Sequence, residues 1–250
     1  SKSYTLINMF GLALSLACCI ILMRYIHREL TVDTHCVDRE NVYAVIREEE
    51  GHMDFVFDDE LGNDEYLVET HAKLVLLEQE YLTYNQKLYP ADIIVGDHNF
   101  FKLFSYNVIQ GTDLQNTPNA AVLTKDYAHK LFGDENPIGK LLYDPSGNEI
   151  AVAGVIENSD NKCSFTFDMV LAQSRRAGTR INLLRFRPET DMERMNDLFG
   201  ETRYSYSDHN PHPYTYHLIS IKDLYWDDSL NNSSLFVKGN RLQLSILIVI

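Results

Sequence analysis

Nineteen positions from Thr5 to Met23 carry no carboxylate, lysine or arginine, and most are aliphatic. At a rise of ~1.5 Å per residue such a helix comes close to the ~30 Å of a bilayer's hydrocarbon layer. The pattern predicts a membrane-spanning helix. A cleaved signal peptide fits less well, because Ala17-Cys18-Cys19 is followed by further apolar residues, Ile20 to Met23, rather than by a cleavage site. A buried core helix is the third reading. Nothing from Arg24 to Leu30 breaks a helix, so the element is expected to continue as a stalk. At the other end, Leu242 to Ile250 (LQLSILIVI) is again apolar. It reads as the start of a second membrane helix, with a buried strand as the alternative, and Asn231-Asn232-Ser233-Ser234 reads as the flexible connection leading to it.

Between these ends the pattern shortens and alternates. Asn41 to Arg47, rich in β-branched and aromatic residues, predicts a strand. Asp58 to Glu65 is acidic and reads as a solvated helix face or loop. Glu80 to Tyr84 and Lys87 to Val95 flank Asn85-Gln86 at the spacing of a two-residue hairpin. Asp97 to Phe104 predicts a short helix, and Thr124 caps a second one over Lys125 to Phe132 that Gly133 ends. Leu141 to Tyr143 and Glu149 to Ile156 form a further hairpin around Asp144 to Asn148, followed by a strand over Phe165 to Leu171. Ile181 to Arg187 predicts a strand, Thr190-Asp191-Met192-Glu193 a capping box opening a helix through Met195, Leu198 and Phe199, and Tyr214 to Ile221 another strand. Ser205 to Pro213 reads as loop. Strand, capped helix and strand make a β-α-β unit, and the whole is α+β.

The chain has 250 residues, 45% hydrophobic and 23% charged, enough for one large domain or two small lobes. Its net charge of −14, with no basic stripe, removes the electrostatic footprint of nucleic-acid binding. Lys2 precedes the first apolar segment while Arg24 and Arg28 follow it, a charge bias that runs against an outside location for the following domain. Cys18 and Cys19 lie in the apolar run, leaving Cys36 and Cys163 to pair or to stay free.

Chemistry is sparse. There is no phosphate-binding loop with its lysine, so this polypeptide is not itself an ATPase, and no G-x-S-x-G, H-E-x-x-H or paired C-x-x-C occurs. Two groups contain metal-ligand residue types: His209 with His212, and Asp33 with His35 and Cys36. A solvated surface accounts for both, and for the many carboxylates. No residue is therefore assigned a catalytic, cofactor-binding or metal-binding role, and no cofactor is expected.

The ordered segments resemble the periplasmic core domain of MacB-type permeases, in the MacB/FtsX/LolC superfamily. Asn8 to Leu14 is similar to N-x-x-G-L-A-x in the family's first membrane helix, Glu29-Leu30-Thr31-Val32-Asp33 to the E-L-S-Y-D after it, and Arg39 to Tyr43 to R-x-x-x-Y. Asp97 to Phe104 with Gly111 resembles D-x-x-F-F-x-x-F and its later glycine. Ala121 to Thr124, Ala128, Leu131 to Gly133 and Pro137 to Lys140 follow V-L-T-x-x-x-A-x-x-L-F-G-x-x-x-P-I-G-K; Val152 to Ile156 and Phe167-Asp168 match the V-x-G-V-I and F-D blocks. Thr31-Val32 replaces Ser-Tyr, and Gly51 to Lys73 lacks the family's proline-rich helix.

The resemblance implies a first transmembrane helix with stalk over residues 1–28, a MacB-like extracytoplasmic domain over 29–240 with a porter-like β-α-β lobe and an inserted lobe at about Asp92 to Leu171, and the start of a second membrane helix over 241–250. It implies a dimeric permease, homodimer or heterodimer, in the bacterial cytoplasmic membrane. Separate ATP-binding cassette subunits, or a fused one, would drive it by mechanotransmission, export or extraction of a substrate would be its task, and a periplasmic adaptor and membrane lipid are further candidate partners. Gly11, Gly133, Pro137, Gly139 and Gly154 would have backbone or packing roles. A membrane-tethered sensor that binds an extracellular peptide or a cell-wall enzyme is the alternative with the same fold.

Overall fold

The computed structural model describes residues 2–55, 68–114, 117–159, 162–172, 178–207, 210–228, 230 and 236–249. The acidic stretch Asp58 to Glu65, the Asn231 to Ser234 segment and His209 lie outside them. The apolar run forms one helix, α1 (Lys2–Leu30), that continues through the stalk as its sequence predicts. Most of its apolar side chains are exposed, Phe10 and Met23 each 70%, so it is not a helix buried in the core of this domain. The stretch Tyr4–Leu30 is long and apolar enough to cross a membrane. At ~1.5 Å per residue only about 20 of its residues are needed to do so, which leaves its last turns to spare as a stalk.

Next come β1 (Val42–Glu49), β2 (His52–Phe55), β3 (Val68–Tyr84), β4 (Lys87–Val95) and α2 (His98–Leu103). After these lie β5 (Val108–Gly111), β6 (Ala120–Thr124), α3 (Lys125–Phe132), β7 (Leu141–Tyr143), β8 (Glu149–Ile156) and β9 (Met169–Leu171). The chain ends with β10 (Thr179–Phe186), α4 (Met192–Phe199), β11 (Arg203–Ser207), β12 (Asn210–Ser220), α5 (Ile221–Leu224) and α6 (Arg241–Val249). Among the described residues the strands form one sheet ordered β11-β12-β1-β10-β3-β4-β9-β6-β8-β5, with β2 beside β1 and β7 beside β3 and β8. The first half is antiparallel; the second mixes in two parallel pairs, β4 with β9 and β6 with β8.

Helices cover both faces of this sheet, and the side-chain period of two sorts each strand accordingly. Along β10, Ile181 and Leu183 enter the core beneath α2 and α5, while Leu184 and Phe186 enter a separate core with Met195 and Phe199 of α4. Along β6, Ala120 and Val122 face the first of these cores and Ala121 and Leu123 a third, which Tyr127, Ala128, Leu131 and Phe132 of α3 complete. Strands buried on both faces read as continuous apolar runs. That is why β6 gives no alternation to recognise.

The structure revises several expectations. Of the stretch read as loop, Ser205 to Ser207 and Asn210 to Pro213 are not loop but parts of the paired strands β11 and β12, with Ser205 opposite His212. Pro211 and Pro213 are tolerated there because β1 ends opposite Tyr214, leaving that stretch of β12 paired on one side only. The β-α-β unit is split: β12 and β10 are parallel but separated by β1, antiparallel to both. Asp191, not Thr190, caps α4, accepting from the backbone N–H groups of Glu193 and Arg194. The strand expected over Phe165 to Leu171 shortens to β9, and the C-terminal segment is a helix, not a buried strand.

The hairpin at Asn85-Gln86 is present, Tyr84 pairing with Lys87. Both turn residues are left-handed, at φ 47° and 63°, the twist that matches a two-residue loop to its strands. Gln pays a steric penalty there that Gly does not. Gln86→Gly is expected to stabilise the protein by about 0.5–1 kcal/mol, read as a higher denaturation midpoint with an unchanged slope; an unchanged or lower midpoint would count against the turn assignment.

Candidate functional site

Where α1 leaves the membrane, its last turn carries Glu29, 6% exposed although acidic and at the helix end that disfavours negative charge. One carboxylate oxygen of Glu29 receives the Lys162 ammonium at 2.6 Å and the other the Tyr225 hydroxyl at 2.6 Å. The Lys162 ammonium also lies 5.0 Å above the Tyr225 ring. Burial and the bond to Glu29 both hold the Tyr225 hydroxyl well above its ordinary range.

The chain then turns at Asp33, which is left-handed at φ 56° and almost fully buried. Its backbone N–H donates to the Lys162 carbonyl at 3.0 Å. Its carboxylate accepts from the Ser164 backbone N–H at 2.8 Å and from the Ser164 hydroxyl. Burial raises the Asp33 carboxyl, while the two Ser164 bonds and Arg39 pull it back down.

The return toward the second apolar segment meets the same stretch, Lys162 to Phe165. The Val237 N–H donates to the Ser164 carbonyl at 2.8 Å, and Phe236 forms a bridge with Phe165. Gly239 then donates to the Tyr225 carbonyl at 2.8 Å. A Cβ at Gly239 would overlap the Tyr225 and Trp226 rings, so only glycine lets the backbone pass this close. Asn240 caps α6, accepting from Gln243 N–H at 2.8 Å, and α6 runs beside α1. Lys162 to Phe165, leading into β9, is therefore held by both apolar helices' connections at once.

Beside this joint lies a cavity of about 450 Å³ lined by Arg28, Lys162, Cys163, Phe165, Asp126 and Asp168, among others. Behind two of its lining residues, His35 sits between Tyr106, 3.1 Å from Nε2, and the Cys163 sulfur, 3.6 and 3.7 Å from the two ring nitrogens. Burial lowers His35 to about 4, keeping the imidazole neutral. Burial raises the Cys163 thiol, against a Ser159 hydrogen bond that lowers it.

Of the residues whose types suggested metal chemistry, Asp33 and His35 do converge, but Cys163 joins them and Cys36 does not. Cys36 sits in the core, its thiol pushed by burial up to about 12. No disulfide joins Cys36 and Cys163. His212 faces Glu50 at 4.0 Å on the surface. Glu29 entered the sequence reading only as a letter of E-L-x-x-D, and Asp33 as a letter of the same motif and a metal-ligand residue type. A buried acid ending an apolar helix against the helix dipole was the signal available.

A three-layer mixed sheet carried on a membrane-length apolar helix, and joined to it through Lys162 to Phe165, is the architecture of a membrane-anchored domain. The family model of the MacB-like periplasmic core domain matches residues 5–201, and the chain belongs to that family, that of ABC-transporter-type permeases. No curated protein matches the chain. Among solved structures, a domain of a putative permease from Porphyromonas gingivalis superposes with a TM-score of 0.59 at 17% identity, over 80% of this chain and 96% of that one. The periplasmic region of MacB from Actinobacillus actinomycetemcomitans gives 0.53 at 13%, over 76% and 90%. The extracellular domain of the noncanonic ABC-type transporter YknZ from Gram-positive bacteria gives 0.46 at 13%, over 70% and 99%.

Proposed function

We propose that this chain is part of a permease subunit of a MacB/FtsX-type ABC transporter in the bacterial cytoplasmic membrane, whose extracytoplasmic domain turns ATP-driven motion into export or extraction of a substrate. Hydrolysis occurs on a separate ATP-binding cassette subunit. The permease works as a homodimer or heterodimer, with a periplasmic adaptor as a further partner. In this reading α6 begins the second membrane helix, and the domain divides into a porter-like lobe and a lobe inserted at about Asp92 to Leu171. The position of β4, β9, β6 and β8 beyond β3 in the strand order supports that division.

The observation that carries the proposal is the shared grip on Lys162 to Phe165. A relative shift of α1 and α6 pulls on one short segment through Asp33, Glu29 and Val237, and that segment continues into the sheet's second half. Such a linkage transmits displacement without chemistry.

The test is purification of the full-length protein from its native membrane in mild detergent, identification of what co-purifies, and reconstitution in nanodiscs with spin labels at the exposed Leu88 of two copies. Recovery of an ATP-binding cassette subunit, and a label distance that changes between ATP-bound and ADP-bound states, is the expected result. In the Glu29→Gln protein hydrolysis should persist while the distance change shrinks. No such subunit in a preparation that preserves a known transporter complex would overturn the proposal in favour of a tethered sensor.

A further inference from the structure

The joint holds one cluster that mechanical coupling does not need. Asp33, His35 and Cys163 bring a carboxylate oxygen, an imidazole nitrogen and a sulfur within 4.8 Å of one another, from two segments more than a hundred residues apart in sequence. A solvated surface does not account for it: Asp33 is buried, and the other two are mostly so. We propose that Asp33, His35 and Cys163 bind a zinc ion that staples the turn after the membrane helix to the Lys162–Phe165 segment. This inference concerns the chain's own residues and holds or fails independently of the transport reading.

Four observations support it. Ligand chemistry comes first: one sulfur, one nitrogen and one carboxylate oxygen suit a borderline-soft ion such as zinc, whereas magnesium and calcium take oxygen ligands. Spacing comes second. A tetrahedral ion with bonds of ~2.3 Å to sulfur and ~2.0 Å to nitrogen holds those atoms about 3.5 Å apart; here they are 3.7 Å apart for Nδ1. Because the sulfur is nearly equidistant from both nitrogens it lies over the ring, so ligation swings the thiol about its own Cα–Cβ bond into the ring plane.

Third, the outer partners that orient metal ligands are present. Tyr106 engages His35 Nε2, which leaves the Nδ1 lone pair for the ion when Nε2–H is the donor. Ser164 fixes the Asp33 carboxylate through backbone and hydroxyl, each oxygen retaining a lone pair. Fourth, there is an approach path: Cys163 and Tyr106 both line the cavity of about 450 Å³, which opens to solvent and leaves room for water as the fourth ligand. Binding exchanges the thiol proton, released to water through that opening, for a zinc–sulfur bond.

The test uses the full chain in detergent, freed of metal and titrated with Co²⁺ as the probe and then with Zn²⁺ as competitor. Expected are one Co²⁺ per chain and a thiolate-to-cobalt charge-transfer band in the near ultraviolet. The band should persist in Cys36→Ser and disappear in Cys163→Ser, and His35→Ala should weaken binding about tenfold or more. Zn²⁺ should also slow alkylation of Cys163 in the unaltered protein, followed by mass spectrometry, a readout that requires no variant to fold. Absence of the band in folded protein, its survival in Cys163→Ser, or alkylation of Cys163 at the same rate with and without Zn²⁺ would overturn the proposal.

Discussion

Glu29→Ala is expected to destabilise the protein by about 3 kcal/mol, the lower end of what removal of one partner from a buried ion pair costs. The lower end applies because the Lys162 side chain keeps 25% of its exposure and recovers some hydration. Tyr225 has no such recourse. It is 1% exposed, and losing the Glu29 acceptor leaves a buried hydroxyl unsatisfied, which alone costs about 1–3 kcal/mol. Glu29→Gln keeps an acceptor for Tyr225 and loses only the charge, so it should fall between the two. The protein's single tryptophan makes the measurement direct: Trp226 lies in the joint, its ring 4.7 Å from that of Tyr225, so denaturant unfolding followed by tryptophan fluorescence reports this region. A double-mutant cycle with Tyr225→Phe should show the two losses to be non-additive. A Glu29→Ala protein within about 0.5 kcal/mol of the unaltered one would mean that the joint is not a stabilising contact.

Gly154→Ala should cost a similar amount, about 3 kcal/mol, for a different reason. A Cβ at this position of β8 would overlap the carbonyl oxygen of Thr112, where the chain leaving β5 crosses over β8. Backbone cannot rotate away as a side chain can, so the strands must part, at the upper end of overpacking penalties. Gly111, opposite Gly154 in the β5–β8 pairing, is subject to the same crowding from the Ala153 carbonyl. The loss should appear in the circular-dichroism midpoint while Trp226 emission in the native state stays unchanged, because the atoms that crowd position 154 belong to Thr112 and Gln110 and not to the Tyr225–Trp226 pair. Native-like stability in Gly154→Ala would show that the two backbones are not in contact.

Elements with a local physical signature were legible in advance. The membrane-length helix, the Asn85-Gln86 hairpin, α3 between the Thr124 cap and Gly133, and the hairpin folded around Asp144 all depend on hydrophobic period, capping or turn chemistry within a few residues. β6 was not, because a strand buried on both faces lacks alternation; the early part of β3 does alternate, with Thr70, Ala72 and Leu74 buried between half-buried His71 and Lys73, but Thr70 and Ala72 are too weakly apolar to mark a buried face. The 205–213 stretch failed for the opposite reason: its prolines and polar residues look like loop, and only pairing with its own hairpin partner makes it strand.

The site divides along the same line. The sequence by itself determined that an apolar helix of membrane length precedes an acidic α+β domain, that the chain lacks the motifs of an ATPase, and that its segments follow the MacB-like order. It carried Glu29 as a motif letter without a role, and Asp33 as a motif letter and a metal-ligand residue type set beside the wrong cysteine. Only the tertiary structure decided their partners: Lys162 and Tyr225 around Glu29, Ser164 beneath Asp33, and Cys163 rather than neighbouring Cys36 beside His35. Helices, turns and caps are settled by interactions over a few residues, which a linear pattern records. Pairing a charge at the end of the first helix with residues far along the chain depends on how the sheet brings those segments together, and no local pattern encodes that distance.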